Sequence, residues 1–410
     1  MRTALDNPFS PGSDTIPEVW AGRTEQLSDW RDIVRPRRLA GLPERGRTIL
    51  GEPGLGKSSL VRRITRDAAR AGDWVTPQLR IPAGADPLKL VAEAVLELAA
   101  AAGLPSSREK RIGDAIARVQ AVAVSGISLT LRGADGREPY AALTKLLIEV
   151  GAAAIAEGRV VALIHIDEVQ NITDEKALSQ LLIALGDALS HEVEVEVPGG
   201  ARVGRSLPIA VYLTGLPDFE DMAGARKGAT FARRFKTTTL SALDDEDLVE
   251  ALQDFVIDGW PVSDGSEGAG RVRMDPEAAA SIVDLCRGEP FLFQLVGEQA
   301  WYADTTATIT AEHVRQGWRG AQREATAHVE RILERLPARE RQLLQTMADL
   351  PTGERTATRI AEAMGFAKVT EVGPTAQRLD TVRGIIDRGK PYTFRHRAVE
   401  AYLTSAWPRF

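Results

Sequence analysis

The sequence predicts a three-layer α/β domain on a mostly parallel sheet, followed by a helical region and a C-terminal segment of helices closed by a strand pair. Three observations carry this. Apolar strand-like runs and helical periodicities alternate up to residue 240, the order that gives a parallel sheet flanked by helices. The short run Arg47-Thr48-Ile49-Leu50 passes into a glycine-rich loop and then into a helical pattern. Beyond residue 240 helical patterns continue, but no buried-strand signal is found up to residue 330.

Taken in order, residues 1–35 open with Asn7-Pro8-Phe9-Ser10-Pro11-Gly12-Ser13, which reads as an irregular arm. Ser58 to Ala71 is a helix with Leu60, Val61 and Ile64 on one face, and Trp74 to Ile81 a second strand. Asp86 and Pro87 form a helix start for residues 87–102. Residues 105–138 interrupt the pattern with a basic helix-like stretch, Arg108–Gln120, and a hairpin-like insertion. Pro139–Glu157 is an apolar helix, and Arg159–Ile166 an apolar run of the kind found in strands buried on both faces. Asp174–Leu189 is a helix, and Glu192–Val197 with Ala201–Arg205 a small exposed hairpin. Leu207–Thr214 and Phe235–Leu240 complete the sheet. The divisions that follow are 1–35, 36–240, 241–330 and 331–410.

The chain has 410 residues, 44% hydrophobic and 26% charged, which suits a globular protein of two or three domains. No charge-free apolar run is long enough to span a membrane, and the start does not read as a signal peptide; a cytoplasmic location is expected. One cysteine, Cys286, excludes an internal disulfide and a cysteine zinc cage. The five histidines show no metal-ligand spacing, and His165 reads as a packed core residue. Only nine of the 51 basic residues are Lys, a balance associated with high-GC bacterial genomes. Net charge is −6, against the basic balance of a protein that coats nucleic acid.

Gly51-Glu52-Pro53-Gly54-Leu55-Gly56-Lys57-Ser58 matches the phosphate-binding loop pattern, and Ser59 extends it into the helix. The glycines let backbone N–H groups curl around phosphates, Lys57 neutralises them, and the Ser58 hydroxyl reaches Mg²⁺. Between strand and helix, the loop also places phosphate at a positive helix end. ATP with Mg²⁺ is the expected ligand. The run Val160–Ile166 ends in Asp167-Glu168, where Asp167 would hold the metal through water and Glu168 would act as general base. Thr214 ends another strand, within reach of the terminal phosphate or the attacking water. Arg233 and Arg234 precede the last strand and read either as an arginine finger for a neighbouring subunit or as a surface basic pair.

The order Gly22-Arg23, Gly51–Ser58, Asp167-Glu168, Thr214 and Arg233-Arg234 resembles the AAA+ superfamily over roughly residues 18–330. Within it the chain looks most like origin-recognition initiators and related archaeal and STAND-type ATPases. Gly288-Glu289-Pro290-Phe291 is similar to the Gly-x-Pro motif of STAND proteins, and Leu240–Asp247 to the segment that opens the helical lid. The resemblance implies a sheet of order 5-1-4-3-2, ATP hydrolysis, and adenine held between the N-terminal segment and the lid. Trp20, Ala21, Gly22 and Arg23 would then lie near the base or hinge, with Pro290 in backbone contact at the site. Arg287 stands where many members carry a lid arginine.

Residues 331–410 resemble a winged helix: Ala338–Ala348, Thr356–Met364 and Thr370–Arg383 as helices, then residues 384–395 as strand, turn and strand. The segment 337–410 carries +4, the remainder −10. Contacts to double-stranded DNA would come from Thr370, Gln377, Arg378 and Arg383 on the third helix, and from Arg388, Lys390 and Arg395 near the wing. Packing against the ATPase core is the alternative. Two roles follow: an ATP-dependent, DNA-associated assembly or loading factor that forms a homo-oligomer, or a STAND-like switch acting on a separately encoded protein partner.

Overall fold

The computed structural model describes residues 2–12, 15–102, 139–196, 198, 200–222, 233–263 and 270–409. The insertion expected near 105–138 lies outside the described residues, as do Phe231 and Ala232. The chain forms two compact units: residues 24–50 with 60–238, and residues 1–23, 51–59 and 239–410.

The first unit carries the main sheet. Its strands are β1 (Gly46–Leu50), β2 (Trp74–Val75), β3 (Leu79–Arg80), β4 (Ala162–Asp167), β7 (Ile209–Gly215) and β8 (Phe235–Thr239); β5 (Glu192–Glu196) and β6 (Arg202–Ser206) form a separate hairpin. The sheet runs β2-β4-β7-β1-β8, with β3 also paired to β4. Counting β2 and β3 as one position, the strands taken in chain order lie 5-1-4-3-2 across it. The pairs β1–β7, β2–β4, β3–β4 and β4–β7 are parallel. Every residue of β4 and β7 is buried, so both faces of the sheet centre are covered. The expected single strand over 74–81 is split, because Thr76-Pro77-Gln78 intervenes and Pro77 has no N–H to offer a ladder.

Four long helices accompany these strands: α1 (Lys57–Arg70), α2 (Pro87–Ala101), α3 (Pro139–Glu157) and α4 (Glu175–Ser190). α1 buries Leu60, Val61, Ile64 and Ala68, the helical stripe legible in the sequence. Asp86 and Asp174 cap α2 and α4, each accepting two backbone N–H groups.

The second unit contains α5 (Asp245–Ile257), β9 (Trp260–Val262), β10 (Gly270–Met274), α6 (Pro276–Cys286), α7 (Pro290–Tyr302), β11 (Thr308–Ile309) and α8 (Ala311–Glu334). Strands β9, β10 and β11 form a small sheet where the sequence showed no strand signal. They are two to five residues long and bury only alternate side chains such as Val262, Val272, Met274 and Ile309, too short for a run to stand out. The N-terminal arm is irregular, as expected, but it is not loose. Phe9 is buried, stacks on Phe255 at 5.7 Å and meets Phe293 edge-on at 6.1 Å.

The chain ends with α9 (Ala338–Asp349), α10 (Ala357–Ala363), α11 (Gly373–Gln377), the antiparallel pair β12 (Ile386–Asp387) and β13 (Thr393–Phe394), and α12 (Arg397–Thr404). The single helix expected over 370–383 is instead a 3₁₀ turn, the short α11 and a π turn over Arg378–Val382. Pro374, in the first turn of α11, has no N–H for a continuous ladder. α8 and the chain end share a core: Trp318 is fully buried and its Nε1 donates to the Pro408 carbonyl at 2.8 Å.

Candidate functional site

The loop Gly51–Ser58 leaves β1 and enters α1, as its sequence required. Gly54 and Gly56 take φ of 85° and 78°, the left-handed region in which a Cβ is costly. A Cβ at Gly54 would lie 2.4 Å from Cε1 of His328, and one at Gly56 3.8 Å from Cβ of Pro290. These glycines therefore leave room for close approach as well as for the turn. Lys57 Nζ donates to the carbonyls of Gly51 and Glu52 at 2.8 and 3.0 Å, which holds the ammonium over the loop.

A cavity of about 290 Å³ opens beside this loop. Pro53 to Ser59 line it, together with Arg23, Trp20, Pro290, Phe291, His328 and Arg331. Gly51 and Glu52 do not; Glu52 is 1% exposed and turns toward Arg335, which donates to it at 2.8 Å. Arg23 latches the N-terminal segment to the loop: one nitrogen donates to the carbonyls of Leu55 at 3.0 Å and Ser241 at 2.8 Å. Burial pulls Arg23 down to about 10, with Glu289, Asp247 and Asp244 opposing, so it remains a cation at neutral pH.

The Gly288-Glu289-Pro290-Phe291 segment meets the loop through the backbone, with Phe291 N–H donating to the Gly54 carbonyl at 3.1 Å. Glu289 is completely buried between two imidazoles, 3.2 Å from Nε2 of His396 and 3.7 Å from Nε2 of His328. Burial alone would raise its carboxyl, but His396, His328 and Arg23 more than offset this and hold it below the usual value. His328 also packs against the Phe291 ring at 4.8 Å. Nothing in the sequence marks His328: a lone histidine on a long amphipathic helix has no motif around it. Arg287 is taken up locally, paired with Asp284 at 2.8 Å.

In the other unit, Asp167 and Thr214 meet at the C-terminal ends of adjacent strands. The Thr214 hydroxyl donates to Oδ1 of Asp167, which also accepts the Glu168 N–H at 2.9 Å. Gln78 donates to Oδ2, and Arg62 donates to Gln78. Arg80 stands 3.8 Å from Oδ2. Glu168 follows in the left-handed region at φ 57°, with an exposed side chain whose Oε2 accepts from Asn171 at 3.1 Å. That backbone turn aims two consecutive acids differently, one into the strand network and one to solvent. His165 is buried, as read from sequence; desolvation brings it down to about 4, against the pull of Asp167, so it is neutral near pH 7. Its Nε2 lies 3.4 Å from the Thr214 hydroxyl. Gln78, Arg62, Asn171 and His165 are polar neighbours that no motif announces.

Arg233 is exposed and forms no hydrogen bond or ion pair with a described residue. Arg234 is partly exposed, pairs with Asp187, and lies along α4 where Gly186 leaves space for its Cδ. Of the candidate DNA contacts, Arg378 and Arg383 both donate to Glu340, at 3.0 and 3.3 Å, and Arg383 is buried. Arg388 and Arg395 both donate to Asp380 at 3.0 Å. Gln377 and Lys390 are exposed; Thr370 is exposed within the 3₁₀ turn. No helix among the described residues is long and apolar enough to cross a membrane, and none of their acidic, histidine or cysteine side chains cluster as a metal site.

The loop residues fit a magnesium nucleotide by their donor chemistry: a glycine cradle, a lysine and a serine hydroxyl. No protein-family model and no curated protein matches the sequence. Solved structures do. A Walker-type ATPase of Pyrococcus abyssi is 15% identical, with a TM-score of 0.53 over 94% of this chain and 96% of its own. The ORC2 protein of Aeropyrum pernix, in ADPNP–ADP complexes, is 16% identical, with a TM-score of 0.55 over 98% of this chain and 95% of its own. At such identity the likeness is one of fold: this chain shares the fold of the Walker-type ATPase and of the ORC2 protein.

Proposed function

We propose that the protein binds ATP with Mg²⁺ on Gly51–Ser59 and hydrolyses it. The observation that supports this best is the glycine loop beside a 290 Å³ cavity, with Lys57 and Ser58 among its lining residues. In this reading Lys57 neutralises the phosphates, Ser58 and Asp167 hold the metal, and Glu168 polarises the attacking water. Thr214 fixes Asp167, and Arg23 and Pro290 frame the nucleotide side of the loop. Arg233 is the better placed of the two arginines to act as a finger for a neighbouring copy, since Arg234 already holds Asp187.

The wider role we propose is that of an ATP-driven assembly or loading factor that forms a homo-oligomer and associates with double-stranded DNA through a winged helix at 331–410. A specific observation favours a second reading, a nucleotide switch acting on a protein partner. The four arginines proposed to face DNA are all paired within the chain, Arg378 and Arg383 with Glu340, Arg388 and Arg395 with Asp380, so two carboxylates offset half of their charge. Thr370, Gln377 and Lys390 are exposed candidates outside these ion pairs.

The test combines three measurements on the full chain. Lys57→Ala should abolish ATP binding or weaken it greatly, and Glu168→Gln should keep binding and stop phosphate release. Wild-type protein that binds no nucleotide would sink the proposal. DNA binding measured against salt, with and without ATP, separates the two roles; no binding at low salt leaves the protein-directed switch.

A further inference from the structure

Glu52 is an acid built into a phosphate-binding loop. It brings a negative charge close to the lysine that must neutralise phosphate. The side chain is 1% exposed. Its Oε2 accepts from Arg335 Nη1 at 2.8 Å, while its Oε1 is buried and has no hydrogen-bond partner among the described residues. Arg335 caps the C-terminal end of α8, two residues before the proline that precedes α9.

The charges facing Glu52 come from several elements. Arg335 lies at the α8–α9 junction, Arg383 just beyond the π turn, His396 at the N-cap of α12, and Lys57 in the loop itself. Burial pushes the Glu52 carboxyl up, and these four basic groups oppose that, Arg335 most strongly. Lys57 is already close, its Nζ 3.0 Å from the Glu52 carbonyl oxygen. Of the four basic groups that face the carboxylate, Arg335 pairs with it directly and Lys57 belongs to the phosphate loop.

A buried charge that loses its partner is strongly destabilising, and it takes another cation where one is in reach. Arg383, His396 and Lys57 all face Glu52, and of these Lys57 is the one that belongs to the phosphate loop. An ammonium drawn onto the Glu52 carboxylate is withdrawn from the phosphates.

We infer that Arg335 is a positioning residue for nucleotide binding: by engaging Glu52 it keeps Lys57 available to the phosphates, so affinity depends on a cation delivered by the α8–α9 junction. The inference rests on the reading of Gly51–Ser59 as an ATP site. It makes Arg335 necessary only while Glu52 carries a charge.

The experiment is equilibrium binding of fluorescent ATP and ADP, with Mg²⁺, to the full-length parent, Glu52→Gln, Arg335→Ala and the double variant. Parent protein that binds upholds the ATP reading and lets the variants decide the inference; parent that binds neither nucleotide overturns both. Arg335→Ala should weaken binding by about tenfold or more, and the double variant should stay within about threefold of Glu52→Gln. Unchanged affinity in a folded Arg335→Ala overturns the inference. So does a double variant that binds about tenfold or more weakly than Glu52→Gln, since Arg335 would then act on the nucleotide by another route. Should Arg335→Ala fail to fold by circular dichroism, the comparison of Glu52→Gln with the double variant decides alone. A merely structural role for Arg335 would not be relieved by removing a charge from the loop.

Discussion

The hydroxyl of Thr214, wholly buried at the end of β7, donates its hydrogen bond to Oδ1 of Asp167 at the end of β4. The neutral imidazole of His165 approaches the same hydroxyl. Asp167 is thereby fixed from one side by Thr214 and from the other by Gln78. Thr214→Val keeps the shape and removes the donor. Oδ1 retains the Glu168 N–H, so the stability cost should be about 1 kcal/mol. Nucleotide affinity should change little, while phosphate release falls about tenfold or more as Asp167 loses its orientation. Equal turnover in mutant and parent would remove Thr214 from the mechanism.

The two arginines before β8 should separate by assay. Arg234 is engaged with Asp187 and packs along α4, so Arg234→Ala should lower thermal stability slightly. The exposed, salt-screened pair contributes only about 0–1 kcal/mol. Arg233→Ala should leave stability unchanged and lower turnover only where copies associate. Turnover per subunit measured across a concentration series checks this; a rate independent of concentration in the parent rules out a finger acting between copies.

Gly54→Ala places a Cβ at φ 85° and 2.4 Å from Cε1 of His328. The backbone term alone costs about 1–2 kcal/mol. Gly72 offers a control, because it has φ 86° with nothing within 4 Å of its would-be Cβ. Chemical denaturation should show Gly54→Ala losing more stability than Gly72→Ala, and nucleotide titration should show only Gly54→Ala losing affinity. Equal behaviour of the two would mean that His328 yields without consequence.

Glu289 gives a pH signature. Its native carboxyl is held below the ordinary 4.5, so in acid the unfolded chain takes up the proton first. Its contribution to stability is full above about 4.5 and is lost as pH falls toward the depressed native value. Glu289→Gln should therefore flatten the fall of unfolding free energy below about pH 4.5 relative to the parent. Glu52, raised by burial, contributes with the opposite sign, and the difference between parent and variant isolates Glu289. Urea denaturation at a series of pH values provides the comparison; parallel pH profiles would contradict the depressed carboxyl.

Much of the fold was legible because its signals are local. The helix over 57–70, the strands ending at Leu50, Asp167 and Gly215, and the cap at Asp86 each rest on a run of neighbouring residues. The small sheet of β9, β10 and β11 was not legible, because strands of two to five residues with alternate burial carry too little period. The broken third helix was masked by favourable composition on either side of Gly373-Pro374. At the site, the loop and the acid pair were readable as motifs, whereas Gln78, Asn171 and His328 act through contacts across long sequence separation.

The sequence by itself determined the phosphate loop, the acidic strand end and the alternation that yields a parallel sheet. Spacing along the chain is sufficient for each, since glycine freedom, hydroxyl position and apolar period are properties of consecutive residues. Only the tertiary structure decided which charges are spent on one another. Glu52 goes to Arg335, Glu289 lies between His328 and His396, and Glu340 and Asp380 take the arginines that composition had left for DNA. A formal charge is fixed by residue identity, but the field it leaves at the surface depends on partners brought together from 8 to 283 residues apart and on how deeply each pair is buried.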